Sequence, residues 1–409
     1  MKQREEDLAK VQFELPMYPS NSSNLILGND SILIQRFFKN MKKIWLKQYL
    51  DLYEKDHNIL ILSHNDADGH ASSAVFGVGS GNKNMNIHNI DGYTFDYTTI
   101  LDQIKKADLI YITDLSLNQK QIDYIVDNST GLICWIDHHP TSFEVDIKDN
   151  RMYSFLYSEI GISAAALCWV FVNIIDKIFR YDPFLKNLMS ELVDSINIPY
   201  INTPSIIRLV SLYDTFHDDM DLTFIYGIEN VDYDINTTCG RRFWNSCLYD
   251  FSHDLRVFTT PSEIQTDITI ESILENGKVI KRYMDNKNTK FRKEQLIEVV
   301  FHIIDKTEGS KKEYDVEAAV LNINGHSMAF GPLIESKDIC IRYYQRSNGT
   351  WNYSAYSSKN KKGSMNCTKF SKYFGGGGHL HASGFTSNDN IVDKWIKEQN
   401  KNGNVTIYL

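Results

Sequence analysis

Along the first third of the chain, apolar residues gather into short runs, and each run stops abruptly at an acid or a histidine. Residues 59–62 are Ile-Leu-Ile-Leu, too brief for a helix and dense enough in aliphatics to be a strand buried on both faces. They lead directly into Ser63-His64-Asn65-Asp66-Ala67-Asp68-Gly69-His70. Residues 109–112 end at Thr113-Asp114, and residues 132–136 end at Asp137-His138-His139. Between the runs, residues 97–106 and 119–127 carry apolar positions at helical spacing. Strand alternating with helix in this way predicts an α/β fold, a parallel sheet with crossover helices on both faces.

The flanking segments are read the same way. Apolar residues at Phe37, Phe38, Met41, Trp45, Tyr49 and Tyr53 predict one amphipathic helix over 34–53, docked on the first strand. Residues 71–78 start a helix that Gly77, Gly79 and Gly81 end. Residues 162–260 read as mainly helical, with candidates at 163–175, 185–196 and 206–213. Residues 263–292 are polar with a thin apolar stripe, as in a helical linker. Beyond it, 316–323, 339–344 and 351–356 read as strands, with Asn348-Gly349 as a hairpin turn between the last two. The expected organisation is an N-terminal arm (1–30), a catalytic parallel-sheet domain (31–260), a helical linker (261–296) and a smaller C-terminal α/β domain (297–409).

Composition narrows this picture only a little. The 409 residues are 42% hydrophobic and 23% charged, ordinary for a soluble globular protein of two or three domains. A net charge of −9 excludes a chain that is basic throughout, so a polyanion would have to meet a local patch. The six cysteines form no Cys-x-x-Cys pair, and reduced, buried thiols are expected. A charged N-terminus and the shortness of the uncharged stretch 160–175 predict a cytoplasmic protein with no membrane span.

The chemistry is read from the strand ends. If extended geometry persists past residue 62, His64, Asp66 and Asp68 point the same way, and three such groups crowded together call for a cation. Taken alone, the same segment is equally an Asp-rich turn. Three successive parallel strands ending in metal-competent residues favour a site, because ligands of open parallel sheets bind outside the carboxyl ends of the strands. Asp214, within Tyr-Asp-Thr-Phe-His, reads by itself as an acid at a helix end.

A second signal lies near the C-terminus. Residues 341–374 hold seven Lys or Arg and no Asp or Glu, interleaved with Tyr343, Tyr344, Trp351, Tyr353, Tyr356 and Tyr373. Cations for phosphates and flat rings for bases suit a single-stranded or very short nucleic acid; the alternative is a solvated basic face. Four consecutive glycines then precede His379-Leu-His-Ala-Ser-Gly384. So many glycines weaken helix and strand alike, so a plain structural role is not expected; instead their backbone amides could approach a phosphate, with His379 donating to it.

In their order, His64-Asn-Asp66-Ala-Asp68-Gly69, Asp114, Asp137-His138-His139 and Gly375-Gly376-Gly377-Gly378-His379 resemble the DHH/DHHA1 phosphoesterase superfamily over roughly residues 57–390. The opening motif and the two-domain length look most like the nanoRNase B-type oligoribonucleases, since RecJ-type members usually add an OB-fold. The resemblance implies two Mn²⁺ ions between the domains, with Mg²⁺ as the alternative. His64 and Asp66 would hold one ion, Asp68 and His138 the other, and Asp114 would bridge them. Asp214, or failing it Asp194, would complete the second set; Asp137 would orient the histidines and His139 would lie near the scissile phosphate. Where the family carries a substrate-binding Arg before the glycine loop, Tyr356 stands in this chain, so Arg342 or Arg346 is expected to substitute.

The implied activity is hydrolysis of short single-stranded RNA or DNA, or of small nucleotides, by two-metal activation of water. A cyclic-dinucleotide phosphodiesterase, a pyrophosphate or polyphosphate hydrolase and an inactive nucleic-acid-binding module are the alternatives. The oligomeric state is left open, a homodimer being one option.

Overall fold

The computed structural model describes residues 31–53, 57–79, 84–91, 95–159, 161–181, 203–215, 217, 220–247, 270–306, 311–325 and 327–409. The expected N-terminal arm, the candidate helix 185–196 with Asp194, and residues 261–269 of the expected linker lie outside the described residues. The chain divides into two compact units, Met1–Ile273 and Leu274–Leu409.

The first unit is built on five parallel strands, β1 (Ile59–His64), β2 (Met85–Ile90), β3 (Leu109–Thr113), β4 (Leu132–Asp137) and β5 (Met152–Leu156), in the order β2-β1-β3-β4-β5. Three of these were legible as apolar runs. β2 reads Met-Asn-Ile-His-Asn-Ile and is mostly half-buried, so it lacks the apolar density that marks a central strand. The order reverses direction between β1 and β3, and such a reversal opens a crevice at the carboxyl ends of those two strands.

One face of the sheet packs Leu60, Leu62, Ile110, Ile112, Ile133 and Trp135 against Ile104, Ile122 and Ile125. These three come from the helices Leu101–Lys106 and Gln119–Asn128. The other face is aromatic: Tyr111 stacks on Phe76 at 3.9 Å, and its hydroxyl meets that of Tyr49 at 2.6 Å. Phe37 is fully buried there, with ring centroids 5.0 Å from Phe38, 5.4 Å from Phe155 and 5.7 Å from Phe171. Phe37→Ala is therefore expected to cost about 3–5 kcal/mol in denaturant unfolding. A loss below about 1 kcal/mol would mean that the cavity collapses or that Phe37 is not a hub.

The predicted helix over 34–53 is two helices, Ser31–Lys39 and Lys43–Tyr53. At the break, Asn40 turns its side-chain amide to the Ser154 hydroxyl (3.2 Å), while Trp45 Nε1 donates to the Arg151 carbonyl (2.9 Å). Tertiary hydrogen bonds to β5 and the chain just before it outweigh the continuous apolar stripe.

The second unit carries a seven-stranded mixed sheet. Its strands are β6 (Ile297–Asp305), β7 (Lys312–Asn322), β8 (Ile339–Gln345), β9 (Trp351–Tyr356), β10 (Gly377–Gly378), β11 (Ala382–Ser387) and β12 (Val405–Tyr408), in the order β10-β11-β9-β8-β7-β6-β12. Val320, Ile341, Tyr343, Tyr353 and Phe385 join Phe370 and Trp395, from the helices Cys367–Tyr373 and Ile391–Asn402, in its core. The linker prediction meets a helix at Ile270–Gln295.

Candidate metal centre

The carboxyl ends of β1, β3 and β4 supply the site, but not by the route the sequence suggested. Extended backbone ends at His64, and a helix begins at Ala67. Asp66 Oδ1 accepts from the Gly69 amide at 3.0 Å, and its carbonyl accepts from His70, so Asp66 acts as the N-cap. Asp68 then lies in the first helical turn, buried. A Cβ on Gly69 would stand 2.0 Å from the His64 carbonyl oxygen, so only glycine lets the helix fold this tightly onto the strand. The helix therefore starts four residues before the expected position and runs to Gly79, past Gly77.

Asp114 follows β3 with φ 56°, the one non-glycine residue with positive φ among those described. Backbone of this kind is uncommon for a side-chain-bearing residue and clusters at functional sites. The Asp114 side chain is 1% exposed, and neither of its oxygens has a donor in hydrogen-bond geometry. Around it stand His138 Nε2 at 3.3 Å, His64 Nδ1 at 3.9 Å and His139 Nδ1 at 3.9 Å. His138 Nε2 also lies 3.0 Å from Asp214 Oδ2 and 3.9 Å from Asp68 Oδ2. Asp214 is the last residue of the helix Ser205–Asp214, which brings a distant stretch of chain to the same point.

Two carboxylates are tied down from behind. Asp68 accepts from Ser163 Oγ (2.5 Å) and from the amides of Ala164 (2.9 Å) and Ala165 (3.0 Å), which open the helix Ala164–Tyr181. A helix N-terminus stabilises such a charge. Asp137 Oδ1 accepts from the His138 amide (2.8 Å) and binds His139 Nδ1 (2.7 Å), while Oδ2 accepts from Ser142 Oγ. With both oxygens engaged, Asp137 holds the His139 ring and anchors the His138 backbone. Ser142→Ala is expected to lower kcat roughly ten- to hundredfold with little change in KM. Steady-state kinetics that found kcat intact would remove Asp137 from this positioning role.

The charges leave their mark on proton affinity. Burial, together with Asp214 and in spite of His138, pushes the Asp68 carboxyl up to about 6. Burial, then Asp68 and Asp66, lifts Asp114 well above the usual carboxylate range. Burial works against charge on the His64 and His138 imidazoles but is outweighed by carboxylates. Asp66, Asp214 and Asp91 raise His64 to about 9, and Asp214 and Asp114 raise His138 well above the usual range. Burial would also raise Asp66, yet the His64 charge and hydrogen bond hold it below the ordinary value.

Three groups of side chains have donor atoms within 4.8 Å of one another: His64, Asp66 and Asp114; Asp68, His138 and Asp214; and Asp114, Asp137, His138 and His139. The sets hold oxygen and imidazole nitrogen and no thiolate, a donor set that suits Mn²⁺ or Mg²⁺. Asp114 belongs to two of them with both oxygens unengaged by donors, so the residues fit a pair of divalent ions sharing that carboxylate.

No family model matches the chain, and neither does any curated protein. Among solved structures, the DHH domain of a member of a family of ribosomal proteins matches with TM-score 0.51 and 13% identity, covering 98% of this chain and 96% of that one. The chain has the DHH fold. RecJ of Thermus thermophilus in complex with Mn²⁺ gives TM-score 0.45 and 11% identity over 93% of this chain, which spans 60% of RecJ. The pGpG-specific phosphodiesterase PggH of Vibrio cholerae gives 0.37 and 14%, covering 83% of this chain and 96% of that one.

Within this DHH fold, His64, Asp66, Asp68, Asp114, Asp137, His138, His139 and Asp214 gather in the first unit. The remaining expected residues lie in the second. There Arg342 Nε donates to the Tyr356 hydroxyl at 3.0 Å, and the guanidinium lies 5.7 Å from the Tyr344 ring. Arg346 instead donates to Asn352 Oδ1 at 2.9 Å. The expectation that the glycine tetrad has no plain structural role needs correction. The Gly375 amide donates to the Lys372 carbonyl and the Gly376 amide to Ser371, closing the helix Cys367–Tyr373 with Gly375 at φ 79°. Gly378, at φ 133°, would set a Cβ 2.7 Å from Ser383 Cα, so of the four only Gly377 has both open space and ordinary φ.

Ser163, Ser142 and Asp91 were missed. Ser163 carried a signal, a hydroxyl residue just ahead of a long apolar run. Asp91, whose Oδ1 is 4.0 Å from His64 Nε2, follows the strand that the apolar pattern did not reveal. Ser142 had none, since its contact with Asp137 depends on the 3₁₀ turn Pro140–Glu144.

Proposed function

We propose that this protein is a metal-dependent phosphodiesterase that hydrolyses short single-stranded oligonucleotides, with Mn²⁺ as the preferred ion. One observation carries the reading: a buried, strained carboxylate, Asp114, without hydrogen-bond donors and ringed by imidazoles and acids from separate strand ends. His64, Asp66 and Asp114 would hold one ion; Asp68, His138 and Asp214 with Asp114 would hold the other. When bound, two such ions supply charge neutralisation and an activated water for in-line phosphoryl displacement. Asp137 keeps the His139 ring oriented and anchors the His138 backbone. With His139 Nδ1 committed to Asp137, any proton that His139 exchanges with the substrate passes through Nε2.

The second unit supports a nucleotide substrate over bare polyphosphate. Arg342, Tyr344, Ser354 and Tyr356 share one face of the β8–β9 pair, so a cation and two aromatic rings stand together. Gly377 and His379 are the loop groups that would meet a phosphate.

Labelled di- to pentanucleotides incubated with protein and Mn²⁺ should shorten to mononucleotides, while polyphosphate and pyrophosphate turn over far more slowly. Preferential cleavage of polyphosphate would move the reading to the second enzyme class. Binding of oligonucleotide without Mn²⁺-stimulated cleavage would leave a binding module.

A further inference from the structure

A cavity of about 470 Å³ lies beside β5, an edge strand of the first unit's sheet. Its lining includes the cations Arg36, Lys39 and Lys42 and the apolar side chains Phe143, Met152 and Leu156. Among the described residues, no Asp or Glu lines it. Lys42 is partly engaged, its Nζ donating to Asn150 Oδ1 at 2.7 Å, but no carboxylate among the described residues pairs with Arg36 or Lys39. Lys42 also acts on the Asp149 carboxylate, so in a chain of net charge −9 it is Arg36 and Lys39, with no acid paired to them among the described residues, that form a local anion-attracting patch on this cavity. Phe143 is 44% exposed and offers a flat apolar face on the same cavity. The volume lies within the range of small-molecule sites.

We propose that this cavity is a second nucleotide site, separate from the metal centre, that takes a nucleoside monophosphate with its phosphate on Arg36 and Lys39 and its base against Phe143. The assignment of the occupant as a reaction product rests on the proposed hydrolysis; the anionic, ring-bearing character does not. A physical route connects the two sites. Phe143 belongs to the 3₁₀ turn Pro140–Glu144, which begins immediately after His139. In the same turn Ser142 donates to Asp137, the acid that accepts from the His138 amide and binds the His139 ring.

The test is a titration of the full-length chain with AMP, ribose 5-phosphate and inorganic phosphate, followed by calorimetry. It uses Asp114→Asn protein treated with chelator, so that binding at the metal centre does not contribute. AMP should bind more tightly than ribose 5-phosphate, and Arg36→Glu/Lys39→Glu on that background should weaken it by about tenfold or more, while Arg342→Ala in the second unit should not. Phe143→Ala should remove the advantage of AMP over ribose 5-phosphate. Absence of AMP binding up to millimolar concentration, or an affinity unmoved by the charge reversal, overturns the site. Because binding is read without hydrolysis, failure here leaves the metal centre untouched, and an inert metal centre leaves this result standing.

Discussion

Asp114→Asn is expected to reduce phosphodiesterase kcat/KM by roughly a thousandfold or more, at or beyond the upper end of what one preorganised electrostatic group is worth. The same substitution should make the metal-free protein harder to unfold. Asp114 is buried with no donor on either oxygen, and its φ of 56° is a conformation that asparagine tolerates better than most residues. Removing the charge takes away an unfavourable burial without emptying the space. A more heat-stable, inactive protein would show that the native residue is retained for chemistry at a cost in stability. Retained activity would discard the proposed bridge.

Mn²⁺ added to chelator-treated protein should raise the unfolding temperature, by about 2.7 kcal/mol of stabilisation when free metal reaches roughly 100 times Kd. The pH dependence has a definite sign. Asp68, Asp114, His64 and His138 all have folded pKa values above their unfolded ones. Their contribution to metal-free stability is thus complete at low pH and is lost as pH rises, through about 6 for Asp68 and about 9 for His64. Metal competes with those same protons, so Mn²⁺ affinity should climb across this window and binding should release protons. Calorimetry in two buffers of different ionisation enthalpy measures the release. A heat independent of buffer would contradict the arrangement, as would metal-free protein that grows more stable as pH rises from about 6 to about 9.

The parts of this molecule that were legible in the sequence are those governed by local pattern. β1, β3 and β4 announce themselves because strands covered on both faces must be apolar throughout, and the acids at their ends stand out because Asp68, Asp114 and Asp137 break that apolar pattern while remaining buried. Asp214 could be placed only by resemblance, since a helix-end acid says nothing about which strand end it will meet. The helix break at Asn40, the Ser163 and Ser142 contacts and the approach of Asp91 to His64 all depend on tertiary partners that the local pattern does not reveal. The turn from β1 into its helix was misread because Asp66 has two competing uses, as an extended-chain ligand and as an N-cap, and the Gly69 amide decides for the cap. At the glycine tetrad, helix termination and close backbone packing account for three positions that looked purely functional.

The most direct test of the central claim is an anomalous difference map, collected at the manganese edge, from crystals of the native protein grown with Mn²⁺. Two peaks flanking the Asp114 carboxylate are predicted, one within bonding distance of His64 and the other of His138. A map with no peak at Asp114, or with manganese only at sites remote from it, would contradict the two-ion centre on which the proposed chemistry depends.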